Sequence, residues 1–209
     1  MKQDRLRWNA KFDTQREIGD PSPWVAKMYK MSPGSRALDL AAGLGRNAVF
    51  LARQGLEVLA LDLADKAMDS LKAHKLSNIF PVQADLDTFP LRQTSFDLIV
   101  CCHFLDRRLF PYIKECLRPG GIVLYESAME SDQPAVNQPG NRDYLFRTNE
   151  LLHSFLSMRI ISYEERVFAE AEECGQKKVV ARIAAQKGWT GDAPLVRNMD
   201  SAEARHMPD

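Results

Sequence analysis

From Arg36 onward the chain alternates short apolar runs with amphipathic stretches, a pattern that predicts strands and helices in turn. The apolar runs fall at about 36–40, Glu57 to Leu61, about 79–83, Phe96 to Cys101 and Ile122 to Tyr125. Helical patterns lie between them. One covers about 46–54, with Gly55 at its C-terminal cap. A second is capped by Asp65 and buries Met68 and Leu71. A third covers about 108–117, with Phe110, Ile113 and Leu117 on one side. Arg118-Pro119-Gly120-Gly121 reads as a stop and turn. Each pair of strands leaves room for a helix, so right-handed βαβ units and a parallel sheet are expected. The continuous apolar run in FDLIVCC suits a strand buried on both faces.

Both ends depart from this rhythm. Residues 1–20 are polar, but Trp8 and Phe12 stand four apart and would share a helix face. This stretch reads either as an anchored N-terminal helix or as a lid. Ser22 and Pro23 open a second helix with Val25, Met28 and Tyr29 on one face, and Pro33-Gly34 closes it. Residues 127–146 read as a long polar loop rising from the C-terminal edge of the sheet. Thr148 caps a short helix with Leu151, Leu152 and Phe155. Strands at about 158–165 and 177–185, joined by an acidic turn from Glu170 to Cys174, form a closing antiparallel hairpin. Residues 187–209 show no period and are expected to be a loose tail, with Trp189 available to dock. The expected fold is α/β, a three-layer sandwich around a mostly parallel seven-stranded sheet with a C-terminal antiparallel hairpin. It forms one domain: a cap or lid over 1–33, a core over 34–186 and a tail over 187–209.

Composition narrows the partners. The 209 residues are 45% hydrophobic, enough for one domain with a full core. Lys+Arg and Asp+Glu are both 28, so no net charge draws the chain to nucleic acid or to an anionic membrane. A small-molecule partner is expected instead; oligomeric state is not legible. Cys101, Cys102, Cys116 and Cys174 form no CxxC and have no His at ligand spacing, so no metal is expected. Cys101 and Cys102 read as small core residues. No apolar run approaches the ~18 residues of a membrane span, and MKQDRLRWNAKF has no apolar leader segment, so the expectation is a soluble cytoplasmic protein.

The chemistry concentrates in RALDLAAGLGRNA, Arg36 to Ala48. A strand ends at Asp39, a turn of Ala41, Ala42, Gly43 and Gly45 follows, and a helix begins. Such a corner binds nucleotides through backbone N–H groups and the helix N-terminus. Gly43-x-Gly45-x-x-Ala48 satisfies the dinucleotide pattern, and Asp62 stands 19 residues past Gly43, where an acid holds ribose. That alone permits NAD. Asp39 argues otherwise, because a carboxylate at the turn repels phosphate and favours an ammonium or sulfonium. Asp85, in QADL, can accept from adenine N6, and Leu86 can pack on the base or offer its N–H. Acids ending three strands would line one sheet edge, matching S-adenosylmethionine: adenine, ribose, sulfonium, ammonium, carboxylate. Each acid also has a plainer reading: Asp39 bonding turn amides, Asp62 capping a turn, Asp85 an ordinary loop acid.

ALDLAAGLGRNA, LALDLA, QADL, FDLIV and LRPGG, in this order and spacing, resemble class I S-adenosylmethionine-dependent methyltransferases over roughly 8–185. RWNAKF, CHFLDRRLFP, YES, NRDYLFRTNELLHSF and YEE resemble the small methyltransferases related to tellurite-resistance proteins. The resemblance implies a Rossmann-like core with S-adenosylmethionine as donor and S-adenosylhomocysteine as product. The family's D-x-G-x-G-x-G turn falls on Asp39, Ala41, Gly43, Gly45 and Asn47, with Arg46 inside it, and the methionine tail would lie over it. Asp62 would hold the ribose, with Leu63 beside it also lining the cofactor, Asp85 and Leu86 the adenine, and Cys101 would end its strand near the methyl group. Ala41 and Asn47 replace glycines of that turn. Lys11-Phe12 stands where Arg-Tyr is more common, and His103 where Asn is. Near the donor, His103 reads as a general base or as a residue packing on the cofactor. Arg107 reads as an anchor for an anionic acceptor or as an exposed helix-start residue. Arg108, Arg142 and Tyr144 are further candidates, whereas His74, His153 and His206 read as surface or tail positions. The expected reaction is methyl transfer to a small molecule such as a thiol, a chalcogen oxyanion or a similar metabolite. A non-catalytic S-adenosylmethionine-binding module and an NAD-type oxidoreductase are the alternatives.

Overall fold

In the computed structural model, residues 2–14, 18–91, 93–132, 140–169 and 177–188 are described. Five strands run parallel: β1 (Arg36–Leu40), β2 (Glu57–Asp62), β3 (Ile79–Gln83), β4 (Phe96–Cys102) and β5 (Leu117–Ala128). β6 (Arg159–Ala169) and β7 (Lys177–Gln186) complete a seven-stranded sheet in the order β3-β2-β1-β4-β5-β7-β6. β7 is antiparallel to both its neighbours. The expected hairpin is present, with its second strand inserted against β5 and its first left at the edge.

Helices cover both faces. α3 (Arg46–Arg53) and α4 (Asp65–Ala73) pack on one, together with α2 (Pro23–Met28). α5 (Leu109–Cys116) and α6 (Glu150–Phe155) pack on the other. Alternation along β4 explains why its run is continuous: Leu98 and Val100 join the α3 side, Ile99 and Cys101 the α5 side. The α5 side closes around edge-to-face aromatic pairs of Phe110 with Tyr125 and Phe155. α1 (Lys2–Thr14) lies outside α4, joined by exposed Arg5–Asp65 and Lys66–Asp13 ion pairs of 3.0 and 2.9 Å.

Several boundaries differ from the sequence expectation for local reasons. α1 is described over Lys2–Thr14, and residues 15–17 lie outside the described residues. Ser22 does cap α2, its hydroxyl accepting from the Val25 N–H, but α2 gives way at Tyr29–Met31 to a 3₁₀ turn before Pro33. Asp65 is the first residue of α4 rather than its cap. The capping role falls to Asn9 of α1, whose Oδ1 accepts the Lys66 N–H at 3.2 Å while its Nδ2 donates to Asp65 at 2.7 Å. Asn149, at φ 60°, replaces Thr148 as the residue before α6. Arg118 to Gly121 belong to β5, which bulges against β4 between Phe96 and Leu98. β5 also runs on through Ser127 and Ala128, and a bridge from Met129 to Phe146 pins the base of the following loop. The loop's centre, 133–139, the acidic turn, and Trp189 with the rest of the tail lie outside the described residues. Among the described residues, no helix is long and apolar enough to cross a membrane.

Candidate functional site

Strand order reverses between β1 and β4, and the acidic strand ends gather around that switch point, where α/β sheets open a crevice. Asp39, one residue before the end of β1, is 1% exposed. Burial pushes its carboxyl up to about 7; the nearby Asp62 charge adds to this, while the Ala48 N–H and Arg46 oppose it. Its Oδ2 is buried with no hydrogen-bond partner. An unpaired carboxylate oxygen beneath a glycine turn is costly unless a cationic or donor group completes it.

The turn itself is left-handed at three points: Ala41 at φ 54°, Gly43 at 56° and Gly45 at 96°. Ala41 therefore occupies a glycine-type conformation, at the cost that its methyl group brings. At Gly45 a Cβ would stand 2.3 Å from Leu71 Cδ2, so a substitute would have to push that side chain aside as well as adopt the left-handed conformation. At Gly43 the open face is already met by Phe12 of α1, whose ring would lie 3.6 Å from an added Cβ. α1 thus covers the turn, with the Trp8 ring tilted against Phe12 at 5.8 Å.

Asp62, the last residue of β2, braces this turn. Its Oδ2 accepts the Gly43 N–H at 2.8 Å and its Oδ1 the Ala64 N–H at 2.9 Å. Burial raises its pKa against these bonds and one from the Leu63 N–H. Ribose hydroxyls would have to share oxygens already in use, which their second lone pairs permit. Leu63 is half-buried beside it. Past β3, Asp85 Oδ1 accepts the Asp87 N–H at 3.0 Å, shaping a turn in which Asp85 and Leu86 are half-buried. Leu86 packs against the α5-side core.

Cys101 is fully buried in the α5-side core, its thiol pushed up to about 12 by burial. Its side chain thus lies on the opposite face from the α3 layer; Cys102, one residue on, packs with the α3 side. The alternation of β4, already visible in the sequence, decides this. His103 follows at φ 56°, exposed, its N–H donating to the Glu126 carbonyl at 2.8 Å. Arg107 is occupied elsewhere. It pairs with Glu150 and donates to the Asp143 and Leu145 carbonyls at 2.7 and 2.9 Å. The Glu150 carboxylate holds this guanidinium above its usual pKa. An acceptor could claim Arg107 only by displacing those partners; here it ties the segment before α6 to the start of α5. Arg108 is likewise bonded to Asp106 and Asp87.

A cleft of about 520 Å³ opens beside His103, between α2 and the β5-β7-β6 end of the sheet. Pro23, Trp24 and Lys27 form one wall, and Glu126, Arg182, Glu164, Arg166 and Lys178 form the floor. Glu126, Arg182 and Glu164 are register partners across three adjacent strands. Arg182 Nε donates to Glu164 at 2.6 Å, its Nη1 lies 3.6 Å from Glu126, and its guanidinium covers the Trp24 ring at 4.6 Å. Trp24 is 5% exposed, and its Nε1 has no hydrogen-bond partner. Of the cleft residues, the sequence marks His103 as a site candidate, Pro23 as a helix start, and Glu126 and Glu164 only within YES and YEE; Trp24, Lys27, Arg166, Lys178 and Arg182 carry no such mark. The available signal was a charge of fixed parity inside an apolar strand, as in VLYES and VVARIAA. Among the described residues, no group of three or more His, Cys, Asp or Glu could hold a metal ion.

Comparison with known proteins agrees with this geometry. Residues 37–121 match the family described as "Methyltransferase domain". The chain is 31% identical over 99 residues to an uncharacterized methyltransferase of Synechocystis, covering 44% of this chain and 46% of that protein. It is 30% identical over 142 residues to a protein named hemagglutinin 1 of Eikenella corrodens, covering 63% of this chain and 46% of that one. The chain thus spans less than half the length of these curated relatives. Among solved structures, TehB from Haemophilus influenzae superposes with a TM-score of 0.70 at 24% identity, over 86% of this chain and 67% of that one. That likeness concerns the fold.

Proposed function

We propose that this chain, which carries a class I S-adenosylmethionine-dependent methyltransferase domain, transfers the methyl group of S-adenosylmethionine to a small anionic molecule held in the cleft beside His103. The observation that carries the donor half is Asp39. Its Oδ2 is buried and unpaired beneath a left-handed turn, a setting that suits the positively charged half of the donor and disfavours a pyrophosphate. The donor, when bound, supplies a methyl group already activated on a sulfonium. The chain's own residues then have to seat the donor, align the acceptor and keep water out. Asp39 and the Gly43–Asn47 backbone would hold the methionine tail, Asp62 the ribose, and Asp85 with Leu86 the adenine. Phe12 and Trp8 of α1 would close over the turn.

The acceptor half rests on charge. Among the described residues, Lys27, Arg166, Lys178 and Arg182 line the cleft together with Glu126 and Glu164, a lining that favours an anion. His103, which lines the cleft, would take a proton from an acceptor that carries one. Arg107 supports the adjoining segment. A reducing, cytoplasmic setting suits Cys101, Cys102 and Cys116, all free thiols. The test is a screen with methyl-labelled donor over thiols, chalcogen oxyanions and small carboxylic acids. Label moving to an anionic acceptor is the expected result. Tight donor binding without transfer to any of them would favour a non-catalytic binding module.

A further inference from the structure

The donor turn and the cleft lie on the same face of the sheet and are joined by one short chain of bonds. Asn47, the second residue of α3, is 4% exposed, and its Oδ1 accepts the Ser22 N–H at 2.9 Å. Ser22, 1% exposed, donates its hydroxyl to Glu126 Oε1 at 3.1 Å. Glu126 lies beside Arg182 through its other oxygen, and its carbonyl holds the His103 N–H. Ser22 also caps α2, the helix that brings Trp24 and Lys27 to the cleft wall. A bond made at the first turn of α3 therefore reaches both walls of the cleft within three residues.

We propose that Ser22 and Glu126 are positioning residues that couple the two half-sites, so that donor seated on the glycine turn raises the affinity of the cleft for an anion, and the anion tightens the donor in return. This rests on the donor and acceptor assignments above. The physical reason is that both ligands need the same arrangement. The α3 N-terminus must be fixed for the methionine tail, and Arg182 must be fixed for the anion. The structure holds Ser22 bonded to both Asn47 and Glu126, and the coupling requires a second state in which it is released from them. Whichever ligand binds first orders the joint and leaves less for the second to organise. Glu126, as a buried carboxylate, is held by a neutral hydroxyl on one side and a cation on the other. Its link to α2 is thus as direct as its link to the cleft.

The probe pair is S-adenosylhomocysteine for the turn and inorganic sulfate for the cleft, with ionic strength matched by chloride. Calorimetric titration of S-adenosylhomocysteine into the full chain, with and without saturating sulfate, gives the coupling factor. The expected result is tightening by about five-fold or more, the lower end of ordinary allosteric coupling. Ser22→Ala should bring the factor to about one, and Ser22→Thr, which keeps the hydroxyl, should restore it. Glu126→Gln keeps an acceptor for Ser22 but removes the charge beside Arg182, and should also abolish coupling; it serves if Ser22→Ala does not fold. Lys178→Gln should remove the sulfate effect and so locate sulfate in the cleft. Coupling that survives Ser22→Ala or Glu126→Gln overturns the proposal, as does a sulfate effect untouched by Lys178→Gln. S-adenosylhomocysteine binding with no sulfate effect in the unaltered chain also overturns it, while leaving the donor assignment standing. No binding of S-adenosylhomocysteine at all overturns the donor assignment and the coupling with it.

Discussion

Asp39 holds its proton up to about pH 7 because the strand end that buries it supplies little more than the Ala48 N–H and the Arg46 charge against the loss of water. In the unfolded chain the same group ionises near 3.8. Between those values the folded state carries a proton that the unfolded state has released, so stability falls as pH rises from about 4 to about 7 and then levels off. Asp62 is shifted in the same direction and adds to the slope. Asp39→Asn should therefore flatten the decline seen by chemical denaturation at stepped pH, leaving the Asp62 part. Donor binding runs the opposite way. An ammonium or sulfonium prefers the ionised carboxylate, so affinity for S-adenosylhomocysteine should strengthen from pH 6 to pH 8. Asp39→Asn should lose that trend and bind about ten-fold or more weakly, as for a hydrogen bond to a charged group. The sequence made Asp39 conspicuous because an acid ends an apolar run before a small-residue turn. That its second oxygen lacks a partner was not legible, since this depends on how α3 packs.

At the scale of elements, the glycine turn and α1 carry the account. Gly45→Ala should destabilise the chain by about 2 kcal/mol or more, combining a left-handed alanine with a methyl group driven into Leu71. Thermal unfolding would show it as a lower midpoint. Asn9 stands in for the missing cap of α4, so Asn9→Ala should cost about 1 kcal/mol and loosen α1. Hydrogen exchange should then speed up at the Lys66 amide and through α1, but not in the parallel strands. The parallel half of the sheet was readable because each strand is a local apolar run and each helix a local period. The cap on α4 was not, because Asn9 and Lys66 are 57 positions apart. Nor was the place of Arg118 to Gly121, which look like a turn but lie within β5, bulged out between the Phe96–Leu117 and Leu98–Ile122 pairs. The seating of β7 between β5 and β6 likewise follows from long-range pairing that hairpin spacing does not reveal.

Over the whole molecule, the sheet brings two differently charged regions to one face. Acids at the ends of β1 and β2 and past β3 surround the glycine turn, while, among the described residues, Lys27, Arg166, Lys178 and Arg182 stand with Glu126 and Glu164 around the cleft beyond β5. A net charge of +0 hides this division, and only the register of β5, β7 and β6 assembles it. The same turn pattern and Asp62 would serve a dinucleotide, so the central claim is the choice of ligand. Titration calorimetry of the full chain with S-adenosylhomocysteine and, separately, with NADH decides it. Saturable one-to-one binding of S-adenosylhomocysteine and no heat from NADH is the expected result; saturable binding of NADH with none of S-adenosylhomocysteine would overturn the assignment.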